Sequence, residues 1–339
     1  MARYSPEPPR DPGGEAKSGV LLVNLGSPTA PTPAAVRRYL AEFLADPRVV
    51  ELPRALWLPI LHGIVLNTRP KKSAAKYAKI WQRDGSPLTV HTARQAKLLR
   101  GLLGATGRPD IHVAWAMRYG EPSIAATLDA MKAAGCRRIL VLPLYPQYAA
   151  SSTASVVDAF AAWQVRTRSL PEIAYSRGFH DDRRYIEAVA ASINAYWMQN
   201  GRPDQLVLSF HGLPQRAIER GDPYLDECLA SARLIAAALG LAERSYVVSF
   251  QSRFGAAAWV EPYTQATVEA LARSGTQRVD VVCPGFVSDC LETLEEIGIE
   301  VKAAFLAAGG REFHFIPCLN ERDDWIAALA GLVRERLTP

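Results

Sequence analysis

The chain has 339 residues, of which 49% are hydrophobic and 22% are charged, and its formal net charge is +5. This composition is typical of a globular protein with a substantial core, and the length suits two ordinary domains or one large one. The basic residues form no block of the kind that nucleic-acid-binding proteins concentrate on one face, so we expect no nucleic-acid partner.

The cysteines and the first residues bear on the cellular compartment. Five cysteines, an odd number, include no Cys-x-x-Cys pair, which argues against a disulfide framework and against a structural zinc site. A reducing compartment, the cytoplasm, is the simplest interpretation. Residues 1–17 mix proline, glycine and charged residues without an apolar stretch, so we predict a flexible tail rather than a signal peptide.

Seven short runs rich in valine, isoleucine and leucine predict buried strands. They are residues 19–25, 112–117, 138–144, 205–210, 245–250, 279–283 and 313–316. Between them, apolar residues recur at helical spacing, as in 185–197 and 325–333. Continuous apolar strands that alternate with helices indicate parallel sheets covered on both faces, and hence an α/β fold.

Similar segments end the strands of the two halves and occur in the same order. The pairs are 24–28 with 210–214, 116–120 with 251–255, and 142–145 with 282–286. This repetition predicts two similar doubly wound domains, although such short matches could also arise by chance among βα units.

If the repeat is real, the first half contains an insertion. Gly26 and Arg118 are 92 residues apart, whereas Gly212 and Arg253 are 41 apart. The extra segment contains the longest apolar run, 55–66, followed by basic residues. That run is shorter than the ~20 residues that cross a bilayer, so it could form a lip over a hydrophobic ligand or lie on a membrane surface. A buried helix with a solvated basic end is the alternative.

His211 lies where the predicted strand 205–210 ends and the turn Gly212-Leu213-Pro214 begins. Ligands of open α/β sheets bind at the carboxyl ends of strands, so His211 is a candidate catalytic residue, with a hydrogen-bonded structural histidine as the alternative. No GxGxxG, Walker-type or GxSxG motif is present, which disfavours the common dehydrogenase, NTPase and hydrolase classes.

The segment after the strand 279–283 predicts a helix with carboxylates along one face. At helical spacing these are Asp289, Glu292, Glu296 and Glu300. They could conduct a divalent cation, since hard oxygen ligands suit such ions, or they could form a solvated surface; a π-bulge would bring them closer to one line. An imidazole beside a row of carboxylates can accept protons and pass a divalent metal. Insertion of a metal into a ring that must first lose two N–H protons requires both.

Several segments of the sequence resemble the ferrochelatase family. The match runs in order from about residue 18 to the C-terminus, and its most specific part is 208–214 followed by 220–224. The other matching segments are 24–28, 85–87, 145–148 with 151–153, 250–253 through Trp259, and 288–296.

The resemblance implies two similar Rossmann-like domains, the chelatase fold, around a porphyrin cleft. Their expected extents are 18–168 with 320–339, and 169–319. It also implies that the chain inserts Fe²⁺ into protoporphyrin IX to give protohaem. The catalytic and metal-binding residues would be His211 and Glu292, and the acidic proton or metal path would be formed by Asp289, Glu296 and Glu300. The implied porphyrin-binding residues are Leu25, Arg118, Tyr119, Trp259 and Ser209.

The resemblance leaves the substrate and the cellular site partly open. Some relatives that act on coproporphyrin have a tyrosine at the position of Leu25, so the leucine and the apolar lip favour protoporphyrin IX. A coproporphyrin ferrochelatase, a chelatase for a more reduced tetrapyrrole and a non-catalytic porphyrin or haem carrier are the alternatives. We expect a cytoplasmic protein that associates peripherally with the membrane through the lip.

Two departures from the family pattern affect the cofactor and the metal path. Some members carry a C-terminal cysteine-rich extension that binds an iron–sulfur cluster, and the segment that ends at Pro339 lacks one, so we expect no cluster and no permanently bound cofactor, with Fe²⁺ as a substrate. The position of Cys290 is a histidine in some relatives, which makes a direct role of this side chain in metal delivery doubtful.

Overall fold

The computed structural model describes residues 4, 7, 16–255 and 257–337. Strands in this part of the chain are β1 (Lys17–Asn24), β2 (Ile111–Met117), β3 (Cys136–Pro143), β4 (Glu172–Tyr175), β5 (Gln205–His211), β6 (Tyr246–Gln251), β7 (Arg278–Val282) and β8 (Glu312–Phe315).

The α-helices are α1 (Pro33–Ala45), α2 (Arg54–Ile60), α3 (Leu66–Ile80), α4 (Pro87–Ala105), α5 (Ile124–Ala133), α6 (Ser155–Gln164), α7 (Arg183–Asn200), α8 (Gln215–Glu219), α9 (Tyr224–Ala238), α10 (Thr264–Arg273), α11 (Lys302–Ala307) and α12 (Asp323–Leu337). Three further segments, Leu61–Val65, Ala150–Ala154 and Glu292–Val301, are π-helical, and Glu243–Ser245 is a 3₁₀-helix.

The strands form two parallel four-stranded sheets with the same topology. Their orders are β2-β1-β3-β4 and β6-β5-β7-β8, so the predicted repeat and the α/β fold are confirmed. The four residues from Val20 to Val23 are fully buried because the helices cover both faces of the sheet. His211 pairs with Gln251 at the carboxyl end of the second sheet, which is the edge where ligands of such sheets bind.

The seven predicted strands all correspond to observed ones, but β4 was not predicted. It has four residues, two of them exposed and two half-buried, because it lies at the edge of its sheet. Such a strand lacks the continuous apolar run that marks the buried strands.

The chain divides into two compact units. Unit 1 comprises residues 1–144, 150–178 and 326–339, and unit 2 comprises 145–149 and 179–325. The expected domain boundaries at 168 and 320 differ from this division, because β4 pairs with β3 and therefore belongs with the first sheet, and because the second boundary lies within α12.

Most of the predicted tail, residues 1–17, lies outside the described residues. Two that are described contact unit 1. The Glu7 carboxylate accepts hydrogen bonds from Lys132 and from the backbone amides of Arg168 and Ser169, and Tyr4 lies against the guanidinium of Arg168.

The insertion in the first half contains a continuous helical stretch, residues 54–80, which we call the lip. It consists of α2, the π-helix Leu61–Val65 and α3. One face of the lip packs on α1, where Leu61 and Leu66 are buried against Leu44. None of the helices in residues 16–255 and 257–337 is both long and apolar enough to span a bilayer.

Candidate active site

His211 is the last residue of β5 and is half-buried. Its Nδ1 lies 2.6 Å from the carbonyl oxygen of Gly212. A carbonyl can only accept a hydrogen bond, so Nδ1 must carry the hydrogen. In the neutral imidazole, Nε2 is then the unprotonated nitrogen, with its lone pair available for a proton or a metal ion.

Aromatic side chains surround the imidazole. The ring centroids of Trp259 and Phe286 both lie 6.4 Å from that of His211, and Phe254 packs edge-on against Trp259 at 4.8 Å. Trp259 is 5% exposed. The imidazole therefore lies against an apolar wall of the kind that suits a flat macrocycle.

The acidic segment is helical as predicted, but it is a π-helix from Glu292 to Val301. Glu292 and Glu296 are half-buried, and their charges interact with each other and, for Glu296, with His211. Burial raises the pKa of Glu296, an effect that hydrogen bonds from Ser252 and the charge of His211 only partly offset. Glu296 therefore binds a proton more readily than an exposed glutamate does.

The other two members of the predicted acidic row lie in different surroundings. Asp289 is 4% exposed, and its carboxylate accepts hydrogen bonds from Thr293, Asn320 and the backbone amide of Cys318. It ties the start of the π-helix to the segment after β8. Glu300 is exposed and lines, together with Glu296 and Ser252, a pocket of about 350 Å³.

Cys290 contacts the site through its thiol. The side chain is 3% exposed and hydrogen-bonded to Glu292. Burial, followed by the charge of Glu292, raises the thiol pKa well above its usual range. The group thus stays a neutral thiol, which disfavours it as a metal ligand because the thiolate is the ligating form.

Two residues that the residue patterns alone did not distinguish, Gln251 and Ser252, contact this acidic segment. The Gln251 amide donates to the carbonyl oxygen of Glu292 at 2.8 Å, and Ser252 donates to the carboxylate of Glu296. The sequence signals for them were their place in the repeated strand-end segment 251–255 and in the family-like segment 250–253. Ser209 is fully buried and donates to Gln251 at 2.7 Å, so its hydroxyl faces the interior of unit 2.

The remaining predicted residues lie in unit 1. Leu25 follows β1 and is half-buried. The side chains of Arg118 and Tyr119 both bind Asp46, at 2.6 and 2.8 Å, and both also contact Ser155. The Arg118 side chain is 17% exposed, whereas Tyr119 is fully buried.

Within the described residues, no three histidine, cysteine, aspartate or glutamate side chains are grouped so that they could hold a metal ion.

Comparisons with known proteins identify the family. A model described as "Ferrochelatase" matches residues 17–337. The chain belongs to the ferrochelatase family. A ferrochelatase from Aromatoleum aromaticum is 62% identical over 337 residues, which cover 99% of this chain and 92% of the relative. A ferrochelatase from Bordetella pertussis is 54% identical over 345 residues, covering 99% of this chain and 94% of the relative.

Solved structures of chelatases share the fold of this ferrochelatase family member. SirB from Bacillus subtilis with Fe³⁺ has a TM-score of 0.55 at 15% sequence identity, with 94% of this chain and 95% of SirB covered. A second structure, the sirohydrochlorin chelatase SirB in complex with cobalt, has a TM-score of 0.54 with the same coverage and identity. At this identity the likeness establishes the chelatase fold alone.

Proposed function

We infer that the protein is a ferrochelatase, an enzyme of haem biosynthesis that inserts Fe²⁺ into protoporphyrin IX and releases two protons. The observation that carries this inference is the His211 imidazole, with Nε2 as its acceptor nitrogen, in one unit with the half-buried carboxylates Glu292 and Glu296. Its support from relatives is the high identity to ferrochelatases over nearly the full length. Porphyrin and metal ion are both substrates, and no oxidation or reduction is required.

The chemical step exchanges two protons for one dication. Two pyrrole N–H bonds break, four nitrogen lone pairs bind Fe²⁺, and the protons must leave through acceptors on the protein. We propose that Nε2 of His211 accepts a pyrrole proton as a general base. A base of this kind typically contributes about 10²–10⁴-fold to a rate.

We propose that the carboxylates serve the metal and the second proton. Glu292 would bind the incoming Fe²⁺ or assist in proton removal, because an ionised carboxylate suits a hard cation. Glu296, whose pKa is raised by burial, is suited to take up a proton and pass it toward the exposed Glu300. Asp289, with its carboxylate saturated by internal hydrogen bonds, would instead fix the start of the π-helix.

We propose that the porphyrin contacts Trp259, Leu25 and Arg118, whose side chains are not fully buried. Ser209 and Tyr119 are fully buried and would act indirectly, by holding Gln251 and Asp46. An apolar side chain at Leu25 favours protoporphyrin IX over the more highly charged coproporphyrin. Comparison of kcat/KM for the two porphyrins, in the wild type and in Leu25→Tyr, tests this preference, and equal values in the wild type would contradict it.

Anaerobic incubation with protoporphyrin IX and Fe²⁺ or Zn²⁺, followed by absorption, tests the function. We expect the wild type to metallate the porphyrin and His211→Ala to lose about 10²-fold or more of the rate. Glu292→Gln should lower the rate and change its metal dependence. His112→Gln, a substitution in β2, is the matched histidine control and should retain activity. Binding of porphyrin without metallation by the wild type would identify a carrier instead.

We also propose that the protein is cytoplasmic and binds the inner face of the membrane through the lip. Four apolar side chains recur at four-residue spacing and remain exposed: Leu52, just before the lip, and Leu56, Ile60 and Ile64 within it, at 45%, 65%, 42% and 59%. Exposed basic residues follow in α3, including Lys71 and Lys72. An apolar stripe beside basic residues suits a surface of anionic lipid.

Co-sedimentation with phosphatidylglycerol vesicles tests the membrane proposal. Leu56, Ile60 and Ile64 replaced together by serine should weaken binding about tenfold or more, because each buried apolar side chain contributes about 1.5–3 kcal/mol. The control replaces three exposed apolar residues elsewhere, Val165, Leu170 and Met198, and equal effects of both triples would contradict the proposal. Trp57 is unsuitable for this test because its indole donates to the Leu44 carbonyl.

We expect the purified protein to hold no iron–sulfur cluster. The five cysteines are buried free thiols. They do not form a cysteine-rich segment of the kind that binds such a cluster. Visible absorption typical of an iron–sulfur protein, with matching iron and sulfide analysis, would contradict this expectation.

A further inference from the structure

Ser252 directs two hydrogen-bond donors at one carboxylate. Its backbone amide lies 2.7 Å from Oε1 of Glu296, and its hydroxyl lies 2.5 Å from Oε2 of the same side chain. Both oxygens of Glu296 are therefore held, in the two-point manner that fixes a carboxylate in position as well as in orientation.

The backbone of Ser252 is in an uncommon conformation. Its φ is 67°, in the left-handed region that non-glycine residues rarely adopt. A residue held in this region is strained, and contacts with the surrounding structure must offset that strain. The conformation follows directly after β6 and turns both the amide and the hydroxyl toward the π-helix.

Gln251, the preceding residue, forms hydrogen bonds with four other residues of unit 2. Its amide nitrogen donates to the carbonyl oxygen of Glu292 at 2.8 Å. Its side-chain oxygen accepts from Ser209 at 2.7 Å and from the Cys283 thiol at 3.4 Å. These two acceptor contacts determine which end of the amide faces Glu292. Its backbone carbonyl accepts from the amide of Gly212, next to His211, at 2.7 Å.

We propose that Gln251 and Ser252 are positioning residues for metal insertion, which hold Glu292 and Glu296 of the π-helix in register with His211. The proposal rests on the proposed function. Gln251 and Ser252 bind the turn after His211 on one side and the two glutamates on the other, so a single strand end sets the distance between the proton-accepting imidazole and the carboxylates. A catalytic group must be held close to its productive geometry, because small displacements are costly to the rate.

Ser252→Gly separates positioning from stability. Glycine adopts a positive φ without steric cost, so this variant relieves the backbone strain and keeps the amide that binds Oε1, but it removes the hydroxyl that binds Oε2. If Ser252 only stabilises the fold, Ser252→Gly should have unchanged activity. If Ser252 positions Glu296, the Ser252→Gly protein should fold, should be at least as stable as Ser252→Ala, and should insert the metal more slowly.

The experiment measures kcat and KM separately for Zn²⁺ and for protoporphyrin IX. We expect Ser252→Gly and Ser252→Ala to lower kcat/KM for the metal about tenfold, the effect of losing one hydrogen bond to a charged group, with the porphyrin KM unchanged. Gln251→Met, which removes the bond to Glu292 at similar side-chain length, should act in the same direction.

Matched controls remove comparable bonds elsewhere in unit 2. Ser192→Ala deletes a buried hydroxyl that donates to Val189, and Gln205→Met deletes an amide that donates to the Arg244 carbonyl; both should keep wild-type kinetics. If folded Ser252→Gly and Gln251→Met have the same kcat/KM for the metal as the wild type, the positioning role is wrong. The proposed function is unaffected by that result. Absence of metallation by the wild type itself would overturn the proposed function, and the positioning role with it.

Discussion

Gly212, next to His211, has no room for a side chain. A Cβ there would lie 2.9 Å from the backbone oxygen of Gln251 and 3.1 Å from Cε3 of Trp259. Its own carbonyl fixes the Nδ1 hydrogen of His211, and its amide donates to Gln251. The glycine therefore brings the imidazole, the indole and the end of β6 together.

We predict that Gly212→Ala lowers the free energy of unfolding by about 1–3 kcal/mol, the usual cost of overpacking, and also lowers activity by displacing Trp259 and the His211 carbonyl partner. Urea unfolding and the metallation assay measure the two effects. Gly101→Ala in α4, where no atom lies within 4 Å of the added Cβ, should instead stabilise by about 0.5–1 kcal/mol. A Gly212→Ala protein as stable and active as the wild type would contradict the close packing described here.

The sequence identified His211 from its place at the end of a strand, but it could not single out Gln251 or Ser252. Their importance depends on a left-handed backbone at Ser252, and serine has no sequence signature for that conformation. The resemblance to the family implied that Ser209 binds porphyrin. Its side chain is fully buried and donates to Gln251, a tertiary contact that a local sequence pattern does not show.

At the scale of elements, the acidic helix was predicted, whereas its π-helical form was only raised as a possibility. Helical spacing places Asp289 on one face with the glutamates, but a π-helix changes the angle between successive residues. Asp289 also precedes the π-helix and is bound by Asn320 and Thr293. Tertiary partners of this kind are not visible in a local pattern.

The π-helix leads to a prediction on pH. The pKa of Glu296 is raised by burial above its ordinary value of 4.5, so folding favours the protonated form. The contribution of this group to stability is therefore fully present below its unfolded pKa and is lost as the pH rises through its folded pKa. The glutamine of the Glu296→Gln variant cannot ionise, so this variant does not lose stability in this way as the pH rises.

We therefore expect the free energy of unfolding of Glu296→Gln, relative to that of the wild type, to increase as the pH rises from 4.5 toward neutrality. Urea titrations of both proteins across this range measure the difference. Glu269→Gln is the control, because hydrogen bonds from Gln265 and Arg273 lower the pKa of Glu269, so its difference from the wild type should not increase over this range. A difference that is constant or decreases for Glu296→Gln would show that burial does not dominate at this carboxylate.

At the scale of the whole molecule, the repeat could be predicted because strand-end segments recur in the same order in both halves. The boundaries of the two units could not be predicted from the sequence. They depend on the pairing of the edge strand β4 with β3 and on a boundary that lies within α12. The insertion between β1 and β2 was located correctly, since the missing length in the second half showed where it lay. Its exposed stripe at four-residue spacing is visible in the sequence only when the buried face is known.

Asp46 joins distant parts of unit 1. It follows α1, and its Oδ2 accepts from Arg118, Tyr119 and Ser155 at 2.6–2.8 Å, residues up to 109 positions away. Its other oxygen accepts from the amide of Arg48, at the entry to the insertion. Burial raises the pKa of Asp46, but hydrogen bonds from Ser155, Arg48 and Tyr119 and the charge of Arg118 together lower it below its ordinary value.

We predict that Asp46→Asn lowers the free energy of unfolding by about 3 kcal/mol, because it leaves the largely buried Arg118 without its counter-charge. Asp110→Asn breaks the exposed pair with Arg108 and should cost at most about 1 kcal/mol. Since the folded pKa of Asp46 is lowered, its contribution is present above the unfolded pKa and is lost as the pH falls through the folded value. The difference between wild type and Asp46→Asn should therefore shrink in acid. Equal effects of Asp46→Asn and Asp110→Asn at neutral pH would mean that the Asp46 cluster adds no more to the stability of unit 1 than a surface ion pair does.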